Sequence, residues 1–138
     1  MLRFSVLAAV VGLIASMTGC GEPEEIPPTY IVYGTVTSTS VSAHDKIAWI
    51  KLVDIQGKID DPALYSSSCS MTGPSCDYKI LFVGEGEYTV FGIIDMNYTA
   101  SFDSIVADSG DLITLAKPLW LWERTLIDFT DEMWHLVP

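Results

Sequence analysis

The sequence predicts an all-β protein built as a single antiparallel β-sandwich of six or seven strands. Three observations support this prediction. Segments rich in β-branched and aromatic residues recur from residue 30 onward, and several of them alternate apolar and polar side chains. Turn-forming groups of glycine, proline, serine and aspartate separate these segments at short intervals. No segment shows a sustained helical period, so two packed sheets are the expected architecture.

The first half of the predicted domain contains three strands. Residues 30–37 form the first, since they are rich in tyrosine, valine, isoleucine and threonine. Residues 46–54 form the second, in which side chains alternate between two faces. Residues 63–75 are predicted to be irregular, and residues 78–83 form the third strand. The faces of the second and third strands are Ala48, Ile50 and Leu52 against Trp49, Lys51 and Val53, and then Tyr78, Ile80 and Phe82.

The second half begins with the best hairpin signal in the chain. Gly84-Glu85-Gly86 is predicted to join the third strand to a fourth strand at residues 87–95 as a tight hairpin. Residues 96–110 are predicted to form a polar loop with room for one short strand at 104–106. Two further strands complete the predicted sandwich, at residues 111–116 and 119–129.

The amino terminus has the parts of an export signal. Arg3 supplies a positive charge, and residues 4–17 form an apolar stretch shorter than the roughly 20 residues that a spanning helix needs. Small residues then lead to Cys20 in Met17-Thr18-Gly19-Cys20. This motif resembles the lipobox of bacterial lipoprotein precursors. The resemblance implies that residues 1–19 are a signal peptide and that Cys20 is lipidated with a diacylglyceryl thioether and usually an acylated amino group.

Two other interpretations of this segment are an ordinary secretory signal and a permanent membrane helix, and length disfavours the helix. Residues 20–29 are acidic and rich in proline, so they suit a tether between a lipid and a domain. Two or more acyl chains anchor a protein stably to a membrane. Gly21 stands where an aspartate would retain an enterobacterial lipoprotein in the inner membrane. The resemblance therefore implies the bacterial cell envelope and favours its outer membrane, with the periplasmic face and the cell surface both open.

Composition limits the partners. Without residues 1–19 the chain has 119 residues, enough for one β-sandwich domain at residues 30–138. This mature chain has 6 basic and 18 acidic side chains, which gives a net charge near −12. Such a charge argues against nucleic acid, whose phosphates need clustered lysine and arginine, and against adhesion to an anionic membrane by charge. Cationic partners and divalent metals stay open, although solubility alone is the favoured explanation.

Two cysteines remain if Cys20 carries the lipid. Cys69 and Cys76 flank a Gly73-Pro74 turn, and an exported protein meets an oxidising compartment. We therefore predict a disulfide between them. Zinc is the alternative, but two cysteines without nearby histidines make a poor zinc site.

A second resemblance comes from the strand sequences. Tyr30-x-Val-x-Gly-x-Val36, Ala48-x-Ile-x-Leu52 and Gly86-Glu-Tyr-Thr-Val-Phe-Gly-Ile-Ile-Asp95 are similar to carboxypeptidase-regulatory-like or transthyretin-like modules. The similarity covers about residues 30–116. It implies an Ig-like or prealbumin-like sandwich of seven strands, usually non-catalytic, with a structural or adhesive role.

Residues 95–103 suggest a calcium-type loop. Asp95, Asn97 and Asp103 take positions one, three and nine, with Thr99 in place of the acid at position five. Ala100 replaces the glycine of such loops, and the nearby Asp108 and Asp111 would add oxygens if the loop folds back. The hypothesis is a calcium site formed by Asp95, Asn97 and Asp103. The favoured alternative is a polar connection with acidic caps.

Trp120 and Trp122 are candidate ligand-binding residues. They share one face of the last predicted strand, opposite Leu119, Leu121, Thr125, Ile127 and Phe129. If the aliphatic face is the core, both indoles point outward and are able to stack on sugar rings or anchor a partner. The favoured interpretation is core packing, with both sheet faces partly covered by the tail at residues 130–138.

Catalysis finds little support. The sequence contains no G-x-S-x-G, H-E-x-x-H, Walker or G-x-G-x-x-G motif, and His44 and His135 are its only histidines. The sequence therefore predicts a non-enzymatic, lipid-anchored envelope lipoprotein without a resident cofactor. Its expected partners are the membrane, through the amino-terminal lipid, and an envelope protein or glycan. The alternative is a ligand-binding module for calcium or carbohydrate.

Overall fold

Strands make up most of the regular structure in residues 25–138, the part of the chain that the computed structural model describes. Two short 3-10 turns, Val41–Ala43 and Asp131–Met133, are the other regular elements there. The strands form two sheets, which confirms the predicted all-β sandwich. Their bounds are β1 Thr29–Thr37, β2 Ile47–Asp54, β3 Tyr65–Ser70, β4 Ser75–Gly84, β5 Gly86–Asp95, β6 Leu112–Ile113, β7 Lys117–Leu121, β8 Thr125–Leu126 and β9 His135–Leu136.

The two sheets differ in size. Sheet A has the order β4-β1-β8, and sheet B has the order β3-β2-β5-β6-β9, with β7 also paired to β5. The pairings are antiparallel except for β1 with β8, which is parallel. The single long strand expected at 119–129 is wrong, because the chain leaves sheet B after Leu121 and joins sheet A at Thr125. β8 begins beside Val32, near the start of β1, and continues toward the end of β1, so the two strands run in the same direction.

The Gly84-Glu85-Gly86 reversal is present, but the predicted hairpin is wrong. β4 pairs with β1 in sheet A, whereas β5 pairs with β2 in sheet B, so this turn connects the two layers. Alternating apolar residues on both sides of a tight turn suit either arrangement. The choice depends on which distant strands offer the better partners, and this is not encoded in the turn.

Polar strand β3 lies at the edge of sheet B, in a region predicted to be irregular. Its Tyr65–Ser70 sequence contains four serines, so it lacks the apolar alternation by which strands are recognised. The sulfurs of Cys69 in β3 and Cys76 in β4 are bonded at 2.03 Å, which confirms the predicted disulfide. The bond joins sheet B to sheet A, and closing a loop of about eight residues contributes roughly 2.5 kcal/mol in the chain-entropy account.

The main core lies between the sheets and contains the inward side chains of both. Tyr78 and Ile80 of β4 are buried there as predicted, but Phe82 is 75% exposed and Val83 is buried in its place. The β1–β4 register shifts between Tyr30 and Val32, and Phe82 has a φ of 58°. An extra residue in one strand moves the following side chains to the other face.

The carboxy-terminal tail closes one side of this core. Trp134 packs against Phe129 with ring centroids 6.0 Å apart, and its Nε1 donates a hydrogen bond to the Thr37 carbonyl at 2.8 Å. Asp131 accepts hydrogen bonds from the Thr39 backbone N–H and from the Thr39 hydroxyl, both at 2.7 Å. Both bonds lower the pKa of Asp131 below its usual value.

This carboxylate makes the tail contact dependent on pH. The folded state favours ionised Asp131, so its stabilisation is present above the ordinary aspartate pKa of about 4 and is lost as pH falls through the lower folded value. We expect Asp131→Asn to lower the melting temperature near pH 7, with a gap to the native protein that closes below about pH 4. Melting curves between pH 7 and pH 2 measure the gap. A gap that stays constant with pH would contradict the assignment.

Candidate functional site

Loops cover the outer face of sheet B and form a second, smaller core. Trp49 of β2, Ile93 of β5 and Ile105 of the loop after β5 are buried together there. The Trp49 ring meets Phe102 edge-on with centroids 4.9 Å apart. Both faces of β2 are therefore buried. A strand whose sheet is covered on one side only would instead alternate buried and exposed side chains.

Lys51 lies on this covered face and is 1% exposed. Its Nζ donates to the carbonyl of Asp61 at 2.7 Å and to the carbonyl of Ile105 at 3.0 Å. Burial lowers the pKa of Lys51, while the negative charges of Asp60 and Asp61 oppose that shift. The amine thus fastens the β2–β3 loop and the long loop after β5 to the same strand.

A cavity of about 310 Å³ is lined in part by Lys51. Carboxylates and hydroxyls of its wall suit a small cationic or hydroxyl-rich molecule. The amine itself is engaged with two carbonyls, so its placement fits a structural fastener better than a nucleophile. The polar lining residues are Lys51, Asp60, Asp61, Tyr65, Ser66, Asp103 and Ser104.

The sequence placed Lys51 on the same face of the second strand as Trp49 and Val53 but did not single it out. One charged residue inside the otherwise apolar stretch from Ile47 to Val53 was the available signal. If the strand face that carries such a lysine is buried under other segments, the amine needs hydrogen-bond partners there. Its two partners come from positions 61 and 105, which no local pattern connects.

The predicted calcium residues lie in two settings in the structure. Buried Asp95 accepts backbone N–H bonds at its Oδ1 from Asn97 and Thr99, at 3.3 and 3.2 Å, and at its Oδ2 from Ala100, at 2.9 Å. Its carboxylate therefore caps the loop. Asn97 accepts a 2.7 Å hydrogen bond from the Thr99 hydroxyl. Asp103 is exposed and lines the Lys51 cavity, to which neither Asp95 nor Asn97 contributes.

A second buried carboxylate reinforces the same loop. Asp111 accepts the backbone N–H of Met96 at 2.9 Å and that of Asp108 at 2.8 Å. Such bonds satisfy backbone donors that would otherwise be buried without a partner. Within residues 25–138, no group of three histidine, cysteine or acidic side chains is arranged to hold a metal ion.

Trp120 and Trp122 are both at the surface. They are 62% and 56% exposed, and their rings meet edge-on with centroids 6.1 Å apart. The favoured interpretation of core packing is wrong for this pair, because Leu119 and Leu121 take the inward positions of β7. Trp134 of the tail packs on Phe129, and the described part of the chain leaves both indoles exposed.

Comparison with known proteins found no matching family model, no matching curated protein and no matching solved structure. The lipoprotein and transthyretin-like resemblances therefore stay predictions. The predicted signal peptide at 1–19 and the lipidation site Cys20 lie outside the described residues. Among residues 25–138, no helix is long and apolar enough to cross a membrane.

Proposed function

We propose that this protein is a lipid-anchored lipoprotein of the bacterial cell envelope with a non-enzymatic structural or protein-interaction role. The structural observation that supports export is the Cys69–Cys76 disulfide, because disulfides persist in oxidising compartments. Met17-Thr18-Gly19-Cys20 adds the expected site of lipid attachment. The proposed location is the outer membrane.

The use of buried polar groups supports a role without catalysis. Lys51, Asp95 and Asp111 direct their charged groups at backbone carbonyls or N–H groups of the loops beside sheet B. Each such bond fixes a loop over the sheet. A catalytic acid, base or nucleophile instead needs an atom free to reach a substrate.

Mass spectrometry of the membrane fraction after expression of the full chain in a bacterium tests the anchor. We expect a mature amino terminus at Cys20 with the mass of a diacylglyceryl group and an acyl chain. Cys20→Ser is the matched control, which should lose the lipid mass and membrane retention. An unlipidated native amino terminus, or one that begins elsewhere, would contradict the proposal.

A ligand-binding role for calcium or carbohydrate is the second candidate, and the exposed Trp120–Trp122 pair is the observation that favours the carbohydrate. Flat, exposed indoles are suited to stacking on sugar rings. A bound ligand raises the melting temperature by mass action. Thermal shifts with envelope glycans and with millimolar calcium therefore separate this candidate from a purely structural role.

A further inference from the structure

We infer that the end of the sandwich nearest the tether rests on the bilayer through Trp120 and Trp122. The domain would then lie against the membrane surface instead of moving freely above it. This inference rests on the proposed lipid anchor at Cys20. The partner is the interfacial region of a lipid bilayer.

The sheet register places the tryptophan pair where the tether enters the fold. Thr29, the first residue of β1, pairs with Gly84, and Gly86 pairs with Leu121. Thr125 pairs with Val32 in the parallel direction, so residues 122–124 lie level with the beginning of β1. We call the end that holds the start of β1, the β4–β5 turn and residues 122–124 the tether end.

The tether keeps this end close to the membrane. Eight residues separate Cys20 from Thr29, and an extended chain with those nine Cα–Cα steps spans at most about 32 Å. A ten-residue strand such as β5 is about 33 Å long, so the far end of the sandwich is much harder to bring to the bilayer. Because the lipid anchor already holds the domain at the bilayer, the effective concentration of lipid near the tether end is high. A weak contact is then enough to keep that end on the membrane.

The side chains at the tether end match the membrane interface. Tryptophan prefers the headgroup level, where its ring is apolar and its N–H is hydrated. Phe82 is also exposed near the β4–β5 turn. Exposed Ile55 follows the end of β2, where Asp54 pairs with Tyr88 of β5, and so adds apolar surface at this end.

Charge at the tether end selects the kind of lipid. Glu85 and Glu123 lie in its two turns, and the mature chain is strongly acidic overall. The guanidinium carbon of Arg124 lies 4.4 Å from the centroid of the Tyr33 ring, so this cation contacts an aromatic face of the domain. Acidic groups are repelled by anionic headgroups, so docking should be stronger on zwitterionic than on anionic bilayers.

The test uses the full lipidated protein in phosphatidylcholine vesicles, some made with brominated acyl chains that quench nearby indoles. We expect strong quenching of the native protein and a decrease of at least about threefold in a Trp120→Ser/Trp122→Ser variant. Of its two remaining indoles, Trp49 is buried and Trp134 is half-buried against the core. Leu115→Ser, an exposed apolar position outside the tether end, is the matched control and should leave quenching unchanged. Melting temperatures of all variants check that the fold is intact.

Vesicle flotation separates the two proposals. Protein that does not float with vesicles lacks its anchor, which overturns both the proposed function and this inference. Protein that floats but shows equal quenching in the native and double-variant forms keeps the anchor and overturns the docking inference. Quenching of tryptophan fluorescence by iodide gives a further outcome. If added envelope glycan reduces this quenching and lipid vesicles do not, the pair binds carbohydrate and the docking inference is again overturned.

Discussion

Replacement of Gly34 by alanine is expected to destabilise the sandwich by at least about 3 kcal/mol. An added Cβ would lie 2.0 Å from the Ile127 carbonyl oxygen and 2.7 Å from its carbon. Both obstructing atoms belong to backbone, so β1 and the segment after β8 would have to separate. That movement breaks the 2.8 Å bond from the Ile127 N–H to the Tyr33 carbonyl. It also disturbs the 2.6 Å bond that the Tyr78 hydroxyl donates to Ile127.

Urea denaturation measures this effect as a lower midpoint at unchanged slope. Gly84→Ala is the matched control, because its Cβ would meet the far end of the Tyr65 side chain at 3.3 Å, and a side chain is able to move. Equal midpoints for the two variants would show that β1 does not approach Ile127 this closely. The close approach would then have to be discarded, and with it the parallel β1–β8 pairing.

Replacement of Lys51 by alanine is expected to lower the free energy of unfolding by about 3–5 kcal/mol. The change removes a fully buried side chain and leaves a cavity beside Trp49 and its neighbours. It also leaves the carbonyls of Asp61 and Ile105 without the amine that they now share. Because these carbonyls belong to different loops, both loops should loosen together over sheet B.

Two further variants separate packing from hydrogen bonding. Lys51→Met keeps most of the side-chain volume and loses only the amine, so we expect a smaller loss of about 1–3 kcal/mol. Lys58→Ala removes an exposed lysine from the β2–β3 loop and should change stability by no more than about 0.5 kcal/mol. Chemical denaturation gives the free energies, and amide exchange of residues 55–64 and 96–110 reports loop opening. A Lys51→Ala variant as stable as Lys58→Ala would refute the fastener role.

Much of the local structure could be predicted because it depends on neighbouring residues. Strand-forming composition identified β1, and alternation identified β2, β4 and β5, within a few residues of their observed bounds. The polar loop after β5 was also expected, and so was the Cys69–Cys76 bond. Strand β3 was missed because edge strands tolerate serine on both faces, which removes the periodic signal.

The candidate sites were harder to predict, because each depends on what covers a face. The sequence placed Trp120 and Trp122 together on one side of a strand, but their exposure follows from where the tail packs. Asp95 was recognised as a loop acid, whereas its three backbone donors require the folded loop. Lys51 was not recognised as special, since its partners lie 10 and 54 residues away.

The sequence by itself determined the approximate positions of β1, β2, β4 and β5, the shared face of Ala48, Ile50 and Leu52, and the cysteine pair Cys69 and Cys76. It also supplied the resemblance of the amino terminus to an export and lipidation signal. Side-chain alternation and short loops carry this information because they act over a few residues. Only the tertiary structure decided that the Gly84–Gly86 turn joins two sheets, that β8 runs parallel to β1, and that Lys51 is buried. The physical reason is that strand partners and covered faces are selected by contacts between distant segments, whose relative positions exist only once the chain has folded.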